Sequence, residues 1–329
     1  MVMEMSKIRW GLIGCGNVML KNKKIPFINK NNTITAICTT SMLTAKAAKE
    51  KLKLKNCECY TKVEEMVKNK NIDYIYIATP PKFHYVYLKK LKSYNIPLYV
   101  EKPFVRNYKE AKEIKKLYKN STSIFVAHYK RLTPQIQKLK RLIEKDTIGK
   151  IEYIEGNFTR IFNEKLYNNS WIYKSDISGG GRFIDIAPHI LDTLYYLFGE
   201  ITIKNSNIQY NKSVNTEDVV STEIVLKNIP CKLFFDFNAK QDIDSLKIIG
   251  KKGIINTSIN RDFNIYINYK NGKTKTYYFK KPKIWGIENI KAINKIYSKK
   301  NTKNDICTLN DACKIQRYID LIMNKYPPA

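Results

Sequence analysis

Three small groups of residues in this sequence have the types and spacing for chemistry. Gly14-Cys-Gly16-Asn17-Val18 follows the apolar run Ile8–Ile13. Gly14 permits backbone angles closed to other residues, and Gly16 lets a flat, charged group approach the main chain. Free N–H groups at a following helix start favour a pyrophosphate, so the turn reads as a nucleotide site; the plainer alternative is a tight strand-to-helix connection. Lys102 stands between Glu101 and Pro103 after the apolar Leu98–Val100. It is either an ammonium fixed to meet a ligand or one more surface lysine. His189 is one of three histidines, with His84 and His128. An imidazole exchanges a proton near neutral pH. Asp185 lies four residues earlier, a spacing that on a helix puts both on one face and lets the carboxylate orient the ring. Pro188 opposes this: a helix beginning there would leave Asp185 in a loop. A buried, hydrogen-bonded histidine is the plainer alternative.

The elements that must position these groups follow from periodicity. Tyr74–Ala78 is almost purely apolar, the mark of a strand buried on both faces. Around it, Thr33–Cys38, Cys57–Tyr60, Leu98–Glu101 and Ser123–His128 read as strands. They alternate with helical stretches at Leu43–Leu52, after a capping box Thr61-Lys-Val-Glu64, at Lys82–Tyr94 and at Asn107–Tyr118. Asn17–Lys24 reads as a helix that Pro26 interrupts or kinks. This alternation predicts a doubly wound parallel sheet, whose ligands sit beyond the carboxyl ends of its strands. The residues expected there are Gly14–Gly16, Cys38–Ser41 (with Thr39 and Thr40), Ala78–Pro81 (with Thr79 and Pro80), Glu101–Pro103 and His128–Arg131 (with Tyr129). A helix runs from Pro134 to about Lys145. Beyond Gly149 the pattern predicts strands at Ile151–Phe162, Glu217–Leu226, Cys231–Asn238, Ser245–Ile249, Ile254–Ile259, Asn264–Tyr269 and Lys273–Phe279. They make a largely antiparallel sheet, broken by one helical stretch, Phe183–Phe198. A last helix spans Leu309–Met323, and 280–304 is lysine-rich and weakly patterned. The fold class is α/β: a parallel domain over 1–128, then an α+β domain with an open-faced antiparallel sheet over 129–329.

Composition bounds the partners. The 329 residues suffice for two domains, and 43% are apolar, as in ordinary globular proteins. No apolar run reaches the ~18 residues of a membrane span, and Met1–Lys7 lacks the apolar stretch of a signal peptide, so a soluble cytoplasmic protein is expected. The net charge of +30 invites a nucleic-acid reading. The lysines are instead spread along the chain among asparagines, so no specific nucleic-acid partner is expected; attraction of anionic ligands is the milder consequence. Seven cysteines form no paired framework, and Cys57-Glu-Cys59 lacks the second half of a metal signature; Cys15 and Cys38 read as small core residues. No metal is expected.

Four motifs in order resemble the Gfo/Idh/MocA family of oxidoreductases, which includes glucose–fructose oxidoreductase and inositol dehydrogenases. They are the Gly14-Cys-Gly16-Asn17 turn, Ala78-Thr-Pro-Pro-x-x-His84, Glu101-Lys102-Pro103 and Gly179-Gly-Gly-x-x-x-Asp185-x-x-x-His189. Tyr129-Lys-Arg131-x-x-Pro134 and Ile148-Gly-Lys-Ile151 support it, and the resemblance covers roughly 6–250. Gly14–Val18 and Phe125–Arg131 most resemble the NADP-using sugar-ketone reductase branch, 1,5-anhydrofructose reductases among them. The resemblance implies a Rossmann domain followed by a substrate-binding and oligomerisation domain. It also implies hydride transfer between a nicotinamide and a ring carbon of a sugar, cyclitol or nucleotide-sugar.

On that resemblance, Lys102 contacts both substrate and cofactor, His189 is the acid/base and Asp185 its partner. Substrate contacts are Lys102, Tyr129, Arg131, Asp185 and His189, with Asp192, Arg160 and Tyr173 behind them. Cofactor contacts are Gly14, Gly16, Asn17, Val18, Thr39, Thr40, Ser41, Ala78, Thr79, Pro80, His84, Glu101 and Lys102. The pattern departs from the family's in two places. Met19 takes the third position of the glycine fingerprint, normally small. No acidic residue ends the second strand: Cys38-Thr39-Thr40-Ser41, with Lys46 near, suits the 2′-phosphate of NADP better than the bare hydroxyl of NAD. A glycoside-cleaving relative with a tightly held cofactor, and a catalytically silent regulatory protein, are the alternatives. Phe234, Phe235 and Phe237 on the open sheet face predict a homodimer or homotetramer.

Overall fold

Strand β1 (Arg9–Ile13) brings the apolar run before the glycine turn into a sheet with β2 (Thr33–Cys38), β3 (Glu58–Tyr60), β4 (Tyr74–Ile77), β5 (Leu98–Val100) and β6 (Ile124–Val126). Every side chain of β4 is buried, as its unbroken apolar character demands. Helices α1 (Lys24–Asn31), α2 (Met42–Lys51), α3 (Val63–Lys68), α4 (Pro81–Leu91) and α5 (Tyr108–Leu117) connect successive strands. The computed structural model describes residues 7–16, 20, 24–68, 71–119, 124–161, 170–211, 216–298 and 304–325. In it these six strands are all parallel. Their order is β6-β5-β4-β1-β2-β3. The order reverses between β1 and β4, so the ends of those two strands flank the switch point where a parallel sheet offers a crevice.

The second sheet has eight strands: β7 (Ile151–Ile161), β8 (Ile201–Tyr210), β9 (Glu217–Leu226), β10 (Ile229–Ala239), β11 (Ile243–Gly250), β12 (Gly253–Thr257), β13 (Ile265–Tyr269) and β14 (Thr274–Tyr277). All neighbours are antiparallel except β7 and β10. Helix α6 (Pro134–Glu144) precedes the sheet, and the one-turn α7 (Ser175–Ser178) and α8 (Arg182–Phe198) follow β7. Phe183, Ile190 and Leu194 of α8 share one core with Ile136 and Leu139 of α6 and with Phe235 and Phe237 of β10. The chain ends with α9 (Ile287–Tyr297), β15 (Cys307–Thr308) and α10 (Leu309–Ile322), whose Ile315, Ile319 and Ile322 join that core. Among the described residues no helix is long and apolar enough to cross a membrane.

Several expectations are corrected here. Helix α1 includes Pro26, while most of the helix expected over 17–24 lies outside the described residues. Strand β8 was not anticipated, because as an edge strand it is largely exposed and its sequence, Ile-Thr-Ile-Lys-Asn-Ser-Asn, is polar. Phe235 and Phe237 do not lie on an open face: both are buried, and Phe235 meets Phe183 of α8 edge-on with ring centres 5.0 Å apart. The weakly patterned stretch after 280 contains α9, whose inward side is only Asn289, Ile290 and Ile293. Finally, the compact units are 1–105 with 109–129 and 283–313, and 106–108 with 130–282 and 314–329. A single cut at 128/129 misses the return of 283–313 to the first unit, where Cys307 and Thr308 pair antiparallel with Val126 and Phe125 of β6.

Candidate active site

Gly14 has φ +84°, and a Cβ there would stand 2.6 Å from Thr79 Cγ2 and 2.9 Å from the Ala78 carbonyl oxygen. The turn therefore presses against the end of β4, and its N–H donates to Cys38 O at the end of β2 (2.9 Å). A Cβ on Gly16 would meet nothing within 4 Å, so the main chain lies open there, and Leu20 N–H donates to Gly16 O at 3.0 Å. The buried Thr79 hydroxyl has no partner among the described residues, which suits a polar ligand in this cradle. Asn17, Val18 and Met19 lie outside the described residues. Pro80 and Pro81 open α4 with a fixed φ and no wasted N–H. At the end of β2 Thr39 donates its hydroxyl to Ser41 O (2.7 Å). Ser41 is the N-cap of α2 with no side-chain capping bond, and Thr40 and Lys46 are exposed beside it.

Lys102 follows β5 and is half-buried, and its peptide to Pro103 is cis. Its neighbour Glu101 is buried, accepting from Lys24 Nζ at 2.7 Å and from the Tyr76 hydroxyl. Lys24 Nζ also donates to Tyr76 Oη at 2.9 Å. Burial works to raise the Glu101 carboxyl, but the Lys24 ammonium, with the Tyr76 hydroxyl, holds it below the usual carboxylate range. His84, in the first turns of α4, is fully buried with Nδ1 at 3.0 Å from Pro103 O and 3.1 Å from Phe104 O. Both neighbours are acceptors, so Nδ1 carries the proton. Burial holds the ring below its ordinary range despite these carbonyls, and it stays neutral. His84 thus anchors the chain just after Lys102, the structural role left open by the sequence. His128 is buried, and Tyr129 packs its ring 5.4 Å from that of Trp285, a contact that the unpatterned 283–313 segment concealed.

In the second unit α8 starts at Arg182 and runs through Pro188, so Asp185 and His189 lie one turn apart on the same helix. The loop expected from Pro188 does not form because the helix is started elsewhere. Glu217 of β9 accepts from Gly181 N–H (2.7 Å) and Ile184 N–H (3.2 Å). A Cβ on Gly181 would stand 2.6 Å from Thr216 Cβ, and one on Gly179, at φ +92°, 2.2 Å from Arg106 O. The glycines thus let a distant carboxylate cap α8. Burial raises the Glu217 carboxyl in spite of these N–H groups.

Arg131, expected as a substrate contact, is buried and paired with Asp192. Its Nε and Nη2 bind Asp192 at 2.9 and 2.6 Å, and both side chains are almost wholly buried. The low-dielectric interior makes that pairing compulsory. Arg160 is likewise engaged, by Asp244 at 2.8 Å and by two backbone carbonyls. Sequence reasoning missed Lys24 and Glu217. Each acts on residues more than thirty positions away, and neither carries a local signal.

A glycine cradle at the switch point of a parallel sheet, beside a lysine anchored on the next strand but one, defines a dinucleotide-binding oxidoreductase. Comparison with known proteins gives the family. Residues 8–129 match the model described as "Oxidoreductase family, NAD-binding Rossmann fold", and 136–256 match "GFO/IDH/MocA C-terminal domain". The chain belongs to the Gfo/Idh/MocA oxidoreductases. It is 33% identical over 284 residues to "Oxidoreductase P35" of Formosa agariphila, covering 84% of this chain and 87% of that protein. Among solved structures, a levoglucosan dehydrogenase complexed with NADH and levoglucosan has a TM-score of 0.85 at 20% identity, with 97% of this chain and 96% of that one covered. KijD10, a 3-ketoreductase from Actinomadura kijaniata complexed with NADP and TDP-benzene, has a TM-score of 0.82 at 14% identity, covering 97% and 98%.

Proposed function

We propose that this chain moves a hydride between a nicotinamide and a ring carbon bearing a hydroxyl or ketone in a sugar, cyclitol or nucleotide-sugar. The observation that carries this is Lys102, whose backbone stands between the buried, Lys24-paired Glu101 and the Pro103–Phe104 carbonyls held by His84. The open backbone at Gly16 and the unpartnered Thr79 hydroxyl suit a pyrophosphate, with Gly14, Ala78 and Pro80 beside them. Thr39, Thr40 and Ser41 at the start of α2 suit a 2′-phosphate, so NADP is preferred over NAD. The bound nicotinamide supplies the hydride acceptor or donor.

The chain's own residues supply the rest. As a carbinol is oxidised, His189 accepts its O–H proton and Asp185, one turn away, orients the imidazole. Lys102 supplies a positive hydrogen-bond donor that stabilises the developing alkoxide until the carbonyl forms; reduction returns the proton by the reverse route. Tyr129 lines the substrate side. We place the enzyme in the cytoplasm, as a homodimer or homotetramer through the second sheet's less buried face, which carries Lys232, Phe234 and Asp236.

The relatives support a sugar-like substrate: one is named levoglucosan dehydrogenase and another D-glucoside 3-dehydrogenase. The test begins with calorimetric binding of NADPH and NADH, with NADPH expected to bind more tightly. Turnover of levoglucosan and D-glucosides with the oxidised cofactor, and of 1,5-anhydrofructose with the reduced one, follows. Lys102→Ala and His189→Ala should each lower kcat by about 10²–10⁴-fold. Unchanged turnover in both variants would sink the site assignment. A nicotinamide that appears only on denaturation would favour the glycoside-cleaving alternative.

A further inference from the structure

Lys24 is 1% exposed in a chain whose other lysines are mostly at the surface. A buried ammonium is rare and needs a reason. Stability does not give one, since a buried ion pair is on average no better than apolar residues of the same volume. Its surroundings are specific. Nζ donates to Glu101 Oε1 (2.7 Å) and Tyr76 Oη (2.9 Å), and it lies 5.2 and 5.8 Å from the ring centres of Tyr76 and Tyr99. Glu101 is the one carboxylate it pairs with among the described residues. From the returning segment, Gly286 (φ +76°) leaves room for it: a Cβ there would stand 3.1 Å from Lys24 Cε and 3.2 Å from Nζ. Three separate stretches of chain thus close around this ammonium, and the carboxylate it holds belongs to the residue immediately before Lys102.

We propose that Lys24 is a positioning residue for Lys102: it fixes and neutralises Glu101, so that Lys102 is presented in front of a buried pair of zero net charge. The inference rests on the reading of Lys102 as a catalytic residue. Without Lys24, the Glu101 carboxylate is a lone buried charge, and Lys102 is the other cation whose charge acts on it. The lysine is then drawn back toward it. The other titratable groups around the pair do not supply a substitute charge. They are the Tyr76, Tyr99 and Tyr129 hydroxyls, Cys307 and the neutral His84. Burial pushes both Tyr76 and Tyr99 well above the ordinary tyrosine range, so they remain neutral donors at working pH.

The experiment measures acetic anhydride labelling of Lys102 against pH in the full chain, by peptide mass spectrometry, and so needs no substrate. Lys24→Met should raise the pH of half-labelling, and Glu101→Gln, which leaves Lys24 uncompensated, should lower it, each by about one unit. The double variant Lys24→Met/Glu101→Gln and the conservative Lys24→Arg should both restore the wild-type curve. In parallel, Lys24→Met should lower kcat on levoglucosan or 1,5-anhydrofructose by about 10–100-fold with NADPH affinity unchanged. If Lys24→Met does not fold, the opposite shift in Glu101→Gln and its cancellation in the double variant still decide. Wild-type labelling curves in the single variants, or a double variant shifted as far as either single one, would overturn the proposal. Should Lys102→Ala retain turnover, the catalytic reading fails separately, while the labelling curves still report what Lys24 does.

Discussion

Breaking the Arg131–Asp192 pair tests whether Arg131 serves the fold or the substrate. The guanidinium makes contacts of 2.9, 2.9 and 2.6 Å with the Asp192 carboxylate. The side chains are 5% and 1% exposed. Removing one partner strands the other charge in the interior, which costs about 3–5 kcal/mol. The rings of Tyr195 and Tyr196 lie 5.8 and 5.6 Å from the guanidinium carbon. They offset part of the loss in Asp192→Leu, about 1 kcal/mol, leaving a net cost near 3 kcal/mol. Arg131→Met strands the carboxylate with no such ring, and should cost about 4 kcal/mol. The double variant Arg131→Met/Asp192→Leu removes both charges and should fall within about 1–2 kcal/mol of wild type, a coupling of several kcal/mol. Urea melts of the four proteins at neutral pH, analysed as a double-mutant cycle, measure this. Additive single losses, or an Arg131→Met protein as stable as wild type but with a raised KM, would refute the reasoning and restore Arg131 as a substrate contact.

Further outcomes follow from the same geometry. Glu217→Gln keeps an acceptor for Gly181 and removes the titrating carboxyl at the α8 N-terminus, and should cost most stability at acid pH, by urea melts. Because burial raises the Glu217 carboxyl above 4.5, its contribution is full in acid and is lost as pH rises through the folded-state value. The stability of wild type relative to Glu217→Gln should therefore fall as pH rises from the carboxylate range toward neutrality, and a flat difference would remove Glu217 from the account. Gly14→Ala, with a Cβ 2.6 Å from Thr79 Cγ2 at φ +84°, should abolish measurable NADPH binding by calorimetry. Ser41→Asp should weaken NADPH binding and spare NADH, because a carboxylate there repels the 2′-phosphate. Burial pushes the Cys15 and Cys57 thiols up to about 12 and Cys38 to about 11, so iodoacetamide at mildly alkaline pH should leave all three unmodified by mass spectrometry.

What could be read in the sequence was whatever the chain encodes locally. The apolar strand β4, the glycine turn after β1 and the lysine before Pro103 each announce themselves within a few residues. Misreadings arose where distant partners decide. Pro188 is a valid helix-start signal, yet α8 begins six residues earlier, because Glu217 satisfies the N–H groups of Gly181 and Ile184 from another strand. Arg131 looked free because Asp192, sixty-one positions on, is invisible to local pattern. Lys24 was hidden twice, by a lysine-rich composition and by a partner seventy-seven residues away.

The two units solve one physical problem in the same way. A reactive side chain must be held still, yet the groups that hold it must not compete with it for a proton. In the first unit the buried carboxylate of Glu101 is balanced by Lys24 before Lys102 meets it. In the second, the buried carboxylate of Glu217 is spent on backbone N–H groups at the start of the helix that carries Asp185 and His189. In both, the acid is inside and hydrogen-bonded to groups from other elements, and the residue proposed to carry the chemistry follows directly on the backbone concerned. Such acids are expensive to bury and gain little stability, so their presence argues for a task other than folding. That arrangement predicts a common signature for damage to either acid: turnover lost far more than nucleotide affinity, since the glycine cradle depends on neither.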